Sequence, residues 1–361
     1  MESSGFIFAF LFTFSSIPLI NYLSLKFNLV DKPEKRKQHK KNIVRIGGLG
    51  ILFGIYFAIF LLLKFNIVDI GNNNLLQPVL YVAPLFFLLG FIDDINYLSP
   101  FSRLLFQFFL SIFVWSKGIQ INTINLQIFD EIISINLNTI TSLFITVFWI
   151  AGMINAINWM DGLDGLAAGI VSISSIGLII IGIFNGNSDS VFLLITILGA
   201  CFAFLIYNMY PAKILMGDGG SYLLGFFAAS LSIYFPHNNI NELSSLDFSI
   251  LLIFLIFIVP VLDMLVVILS RIKGGKSIFL PDRSHIHHRL IDLGFSDQNT
   301  VLIIFSISQF FVSVAVAIFI SKYQYYLMFA STLLLITTFY SQFNLEDLFN
   351  FKISPRKSIF K

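Results

Sequence analysis

Four short stretches carry most of the side chains in this sequence that could do chemistry. In FIDDINYLSP, Asp93 and Asp94 are adjacent carboxylates. NAINWMDGLDGLAAG (155–169) spaces Asn158, Asp161 and Asp164 by three, which on a helix would put them near one face. Its Gly162 and Gly165 permit tight turns or close backbone approach. NMYPAKILMGDGGS (208–221) opens on Asn208 and surrounds Asp218 with Gly217, Gly219 and Gly220 ahead of Ser221. A glycine turn at a helix start offers backbone N–H groups and a positive dipole end to a phosphate oxygen. An adjacent Asp suits a hard divalent ion bridging to that oxygen. PDRSHIHHRL (281–290) sets His285, His287 and His288 between Arg283 and Arg289. The flanking arginines oppose a zinc ion and no thiolate is near, so the cluster reads as a pyrophosphate clamp.

Each stretch alone has a plainer reading: a solvated helix end, a capped turn, a polar loop. Together, carboxylates beside a basic, histidine-rich rim are what magnesium-assisted phosphoryl transfer needs. The acids hold the metal, and the cations balance charge spread over phosphate oxygens as the bond breaks.

The elements that must position these groups are membrane helices. Of 361 residues, 57% are hydrophobic and 12% charged, against about a quarter charged in soluble domains. Apolar runs near 5–25, 47–64, 76–92, 101–117, 139–155, 165–184, 190–208, 219–235, 247–270, 300–320 and 323–342 predict about eleven spanning helices. The first run follows Met1 and Glu2 without a basic segment, so it reads as a span and not as a cleavable signal. With the N-terminus outside, all of the 22 Lys and Arg residues except Lys64, Lys117 and Lys322 fall on the cytoplasmic side. The four polar stretches then share that face, and the C-terminus ends there too. Residues 1–342 read as one polytopic domain and 343–361 as a basic cytoplasmic tail. A small hairpin is predicted at 118–138, where polar and apolar residues alternate. A net charge of +2 gives no reason to expect nucleic acid, and the lone Cys201 reads as a buried hydrophobe. Asp263, inside the ninth run, is either functional or a packing partner for a basic residue.

At these motifs, together with QHKKNIVRIGG (38–48), the chain resembles the polyprenyl-phosphate N-acetylhexosamine-1-phosphate transferase superfamily, that is, glycosyltransferase family 4. The five segments occur in order along nearly the whole chain. The resemblance implies transfer of a sugar-1-phosphate from a UDP-N-acetylhexosamine to undecaprenyl phosphate, releasing UMP, with Mg²⁺ (or Mn²⁺) in the bacterial inner membrane. It implies Asp218 as metal ligand, and Asp93, Asp94 and Asp161 as catalytic carboxylates. Asn158, Asp164, Asn208, Lys37, Arg45, Arg283, His285, His287 and His288 are implied as substrate-binding. Val44 stands where the first motif usually has proline. Leu215 stands where relatives often place an aromatic residue, which shifts base recognition toward Asp164 and backbone groups. HIHH resembles the simple-sugar branch, with GlcNAc-1-phosphate the first choice and a 6-deoxy-N-acetylhexosamine the alternative. The resemblance leaves room for a homodimer. Outside it stand two rivals: an ion-coupled secondary transporter, whose acids would sit near the midplane, and a zinc hydrolase.

Overall fold

The structure, a computed structural model, describes residues 2–27, 30–31, 43–67, 76–128, 131–234, 250–275, 277 and 284–320. Lys37, Arg283, the eleventh predicted span (323–342) and the 343–361 tail lie outside them. The described residues form twelve helices and two small antiparallel strand pairs. The helices are α1 (Glu2–Lys26), α2 (Gly48–Lys64), α3 (Leu76–Asn96), α4 (Pro100–Ser116), α5 (Thr139–Met160), α6 (Leu166–Phe184), α7 (Ser188–Asn208), α8 (Gly217–Tyr234), α9 (Ile250–Ile256), α10 (Ile258–Lys273), α11 (Ile286–Asp292) and α12 (Asp297–Phe319). Six of them, α1, α3, α5, α6, α7 and α12, are long and apolar enough to cross a membrane, and α2 and α4 are shorter apolar helices. The chain is thus an all-α multi-pass membrane protein. Its outward residues agree, since Phe53, Phe57, Phe60, Phe101, Phe109, Phe144 and Phe148 are all exposed, a display that water would not favour.

The helices sort by what they face. Every residue of α8 except Asp218 is buried, as expected of a helix apolar on all sides. It packs on α3, α5 and α2. Trp149 Nε1 of α5 donates to Ser232 Oγ of α8 at 3.1 Å.

Two features depart from the predicted spans. The ninth run is not one helix, because it breaks at Phe257 between α9 and α10. Pro260 supplies the reason: it has no N–H for the Ile256 carbonyl, and its ring crowds that carbonyl. The freed oxygen accepts instead from Ser174 Oγ of α6, at 3.2 Å. The other addition is the strand pair β1 (Val30–Asp31) and β2 (Ile43–Val44), antiparallel with Val30 opposite Val44. The predicted 118–138 hairpin is present as β3 (Thr123–Ile128) and β4 (Glu131–Asn136), from Thr123 opposite Asn136 to Ile128 opposite Glu131.

Candidate active site

The polar stretches converge because helix ends converge. Arg45 precedes α2, Asp93 and Asp94 end α3, and Arg103 lies in the first turn of α4. Asn158 lies in the last turn of α5 and Asn208 ends α7, while Asp161, Asp164 and residues 209–216 lie in the turns leading into α6 and α8. Loop pairing fixes the first of these. The Leu215 amide donates to the Val44 carbonyl (2.8 Å), and the Gly47 and Gly48 amides donate to Leu215 and Met216 carbonyls (2.8 and 2.9 Å). The segment bearing Arg45 is thereby laid along the approach to α8.

Asp218 is the centre of the cluster. Its Oδ1 accepts from Arg45 Nη2 at 2.9 Å and from Asn158 Nδ2 at 3.0 Å. Asn158 Nδ2 also reaches Ser221 Oγ at 2.9 Å, so one amide ties α5 to the first turn of α8. Arg103 Nη1 stands 4.0 Å from Asp218 Oδ2. Gly217 makes the turn that allows this: its φ is +76°, and a Cβ there would meet the Arg45 carbonyl oxygen at 2.1 Å.

Asp93 and Asp94 diverge despite being neighbours. Asp93 Oδ2 pairs with Arg103 Nη1 at 2.7 Å, and Oδ1 accepts from the Leu98 amide at 2.8 Å. Ser99, whose Oγ accepts from the Ser102 amide, caps α4 with Pro100 just inside, and this holds Arg103 at the site. Asp94 faces the head of α8. Its Oδ1 accepts from the Asp218 amide (3.0 Å) and its Oδ2 from the Gly219 amide (3.1 Å). Arg45 Nε lies 3.2 Å from Oδ1. Asp94 therefore neutralises the positive end of α8 from another helix.

The Asp-Gly turn after α5 differs from a shared helical face. Helix α5 ends at Met160; Asp161 is its C-cap residue and Asp164 lies beyond it. Asp164 Oδ2 accepts from the Ala212 amide at 2.9 Å. Asn208 is 2% exposed. Its Oδ1 accepts from the Gly165 amide (3.0 Å) and its Nδ2 donates to the Ile214 carbonyl (2.8 Å), which makes it a brace between two site loops. Part of Asp161 reaches the surface, yet its carboxyl is crowded by protein. Burial holds it well above the usual carboxylate range, and Asp218, Asp94 and Asp164 push the same way against Arg45.

The histidines sit on the same turn. A Cβ on Gly162 would come 2.5 Å from His287 Nε2. His285 and His287 stack at 5.6 Å, and His287 and His288 lie 4.3 Å apart between centroids. Burial, with His288 and His285 adding to it, pushes His287 down to about 3. Near pH 7 that ring is a neutral imidazole.

Among the described residues, no three His, Cys, Asp or Glu side chains could cage a metal unaided. The donors at Asp218 are carboxylate oxygens, which suit a hard cation held by one or two acids and completed by substrate phosphate and water.

A family model for glycosyl transferase family 4 matches residues 76–236. The chain is similar to a protein of Bacillus subtilis (strain 168) named probable undecaprenyl-phosphate N-acetylglucosaminyl 1-phosphate transferase. The two are 32% identical over 307 residues, covering 85% of this chain and 82% of the relative. The chain belongs to glycosyl transferase family 4. Two further relatives agree. A Mycobacterium leprae decaprenyl-phosphate N-acetylglucosaminephosphotransferase is 29% identical over 82% of this chain and 78% of its own length. An Escherichia coli K12 undecaprenyl-phosphate alpha-N-acetylglucosaminyl 1-phosphate transferase is 28% identical over 84% and 80%.

The site of this transferase includes residues that sequence spacing did not single out. Arg103 was visible only as a lone cation in an apolar run, ten positions beyond Asp93. Ser221 looked like an ordinary cap. Asp263, which did stand out as an acid inside a span, bonds the histidine segment directly, through His285 Nδ1 and the Ile286 amide at 2.7 Å each.

Proposed function

We propose that the protein transfers N-acetylhexosamine-1-phosphate, with GlcNAc-1-phosphate the first choice, from a UDP-sugar to undecaprenyl phosphate. UMP is released, and the reaction begins a cell-surface glycan at the cytoplasmic face of a bacterial inner membrane. The observation carrying this reading is Asp218 at the head of α8, held by Arg45 and Asn158 with Arg103 beside it. The relatives' names support the acceptor and the transferred group.

The chemistry is a displacement at phosphorus. An oxygen of the lipid phosphate bonds to the sugar-bearing phosphorus, and the bond from that phosphorus to the bridging oxygen breaks. UMP leaves with the electron pair. The attacking oxygen is already largely ionised at neutral pH. Asp93 and Asp94, whose oxygens hold Arg103, Arg45 and backbone amides, act as anchors of that cationic frame, with no proton to abstract. Arg45 and Arg103 balance phosphate charge in a half-buried setting. Asp218, with Asp161 nearby, would hold Mg²⁺, which supplies charge neutralisation on the phosphate oxygens. Asp164 and the backbone of the 208–216 loop orient the nucleotide.

Purified protein with UDP-GlcNAc, undecaprenyl phosphate and Mg²⁺ should release UMP, and Asp218→Asn should abolish release while the protein stays folded. A panel including 6-deoxy donors tests the sugar. No UMP from any UDP-N-acetylhexosamine, with counterflow uptake in proteoliposomes, would replace this reading with a transporter.

A further inference from the structure

Asp263 is a carboxylate in the otherwise apolar stretch VLDMLVV of α10, and it is 7% exposed. A buried acid is retained where something binds it, and here both oxygens are engaged by one short segment. Oδ1 accepts from the Ile286 amide at 2.7 Å, and Oδ2 meets His285 Nδ1 at 2.7 Å. The first contact caps α11, whose N-cap position is His285 itself. The second fixes the same residue's ring. One side chain thus sets both where the histidine segment begins and how its first imidazole is turned.

The second contact also selects the tautomer. An ionised carboxylate only accepts hydrogen bonds, so the proton of a neutral His285 stands on Nδ1 and leaves Nε2 open. The ring cannot readily rotate away. It meets the Trp159 ring edge-to-face at 5.3 Å and stacks on His287 with an interplanar angle of 11°. Trp159 in turn carries the Arg271 guanidinium 5.1 Å from its centroid. Because Trp159 adjoins Asn158, the orientation of His285 is referred to the end of α5 that holds Asp218.

We infer that Asp263 is a positioning residue of the transferase: through Nδ1 it fixes the tautomer and orientation of His285, so that Nε2 is left as a hydrogen-bond acceptor for a hydroxyl of the nucleotide-sugar donor. The inference rests on the proposed transfer reaction for its ligand, and on geometry alone for the Asp263–His285 pair.

Two measurements separate these. Spectra of ¹⁵N-histidine-labelled protein, assigned with His285→Gln, should show His285 protonated at Nδ1 in the unaltered protein at neutral pH. A proton on Nε2 would overturn the inference whatever the enzyme does. Asp263→Asn retains an oxygen for the Ile286 amide but turns an NH₂ toward Nδ1, which should move the ring proton to Nε2. Turnover should then fall about tenfold to a hundredfold, the range for outer partners of functional histidines, with the melting temperature little changed. In a His285→Gln background the same substitution should cost nothing further. Additive losses, or full activity in Asp263→Asn, would assign Asp263 to packing alone. If wild-type protein releases no UMP, the transfer reading fails, and the tautomer result still decides the pair.

Discussion

Asp94→Asn should destabilise the protein as well as slow it. In the wild type both carboxylate oxygens accept backbone amides from the first turn of α8, and the side chain is 5% exposed. Asparagine offers one oxygen, so one of the Asp218 and Gly219 amides faces an NH₂ group and loses its acceptor. A buried donor left unpaired costs about 1–3 kcal/mol. The contact to Arg45 at 3.2 Å adds little, since Arg45 is a third exposed and such pairs contribute about 0.5 kcal/mol. Removing one negative charge near Asp218 and Asp161 offsets about 1 kcal/mol of this through relieved repulsion. The net is about 1.5 kcal/mol, or about 2 °C in melting temperature for a chain of this size. Thermal unfolding of detergent-purified protein, followed by intrinsic fluorescence, reads the shift directly. Asp218→Asn is the control, because its carboxylate bonds side chains at the site and its loss should remove turnover with little change in melting. If Asp94→Asn kept the wild-type melting temperature and only lost activity, Asp94 would be a chemical group and the anchoring argument would be wrong.

Three further outcomes follow from the geometry. Asn208→Ala strands the Gly165 amide and the Ile214 carbonyl and should cost about 2 kcal/mol; an unchanged melting temperature would return Asn208 to ligand contact. Gly162→Ala places a Cβ 2.5 Å from His287 Nε2, so turnover should drop about tenfold or more, equivalent to at least 1.4 kcal/mol of barrier, while the melt is unaffected. Wild-type activity there would show that His287 sits elsewhere during turnover. For His287 the folded value near 3 lies below the ordinary 6.5, so its contribution to stability is complete above pH 6.5 and is lost as pH falls from there toward 3. At pH 5 the loss is about 2 kcal/mol, and His287→Gln should flatten the pH dependence of melting by that amount; an equally steep curve in the variant would refute it.

Much of the site was legible in the sequence because its residues are local. Asp-Gly repeats and a glycine turn before a run of apolar residues mark helix ends whatever the packing, and helix ends of an antiparallel membrane bundle meet at two faces. The division of labour was not legible. Asp93 and Asp94 are adjacent in the chain, yet one binds Arg103 of the next helix and the other binds the amides of α8, more than a hundred residues away. No spacing encodes that. The break at Phe257 was hidden inside a continuous apolar run, since hydropathy does not register that Pro260 removes one hydrogen bond. Asp263 gave a signal, an acid within a span, but its partner lies across a loop 22 residues on.

The burial of α8 on every side has a consequence for how such an enzyme can change. A residue that faces lipid can be exchanged for another apolar one, and the exposed phenylalanines of α2 and α4 should accept many replacements. Along α8 almost every added or deleted methyl group meets a neighbouring helix. Variation that adapts this scaffold to another sugar should therefore collect in the turns around the head of α8, while α8 itself stays nearly invariant among working variants.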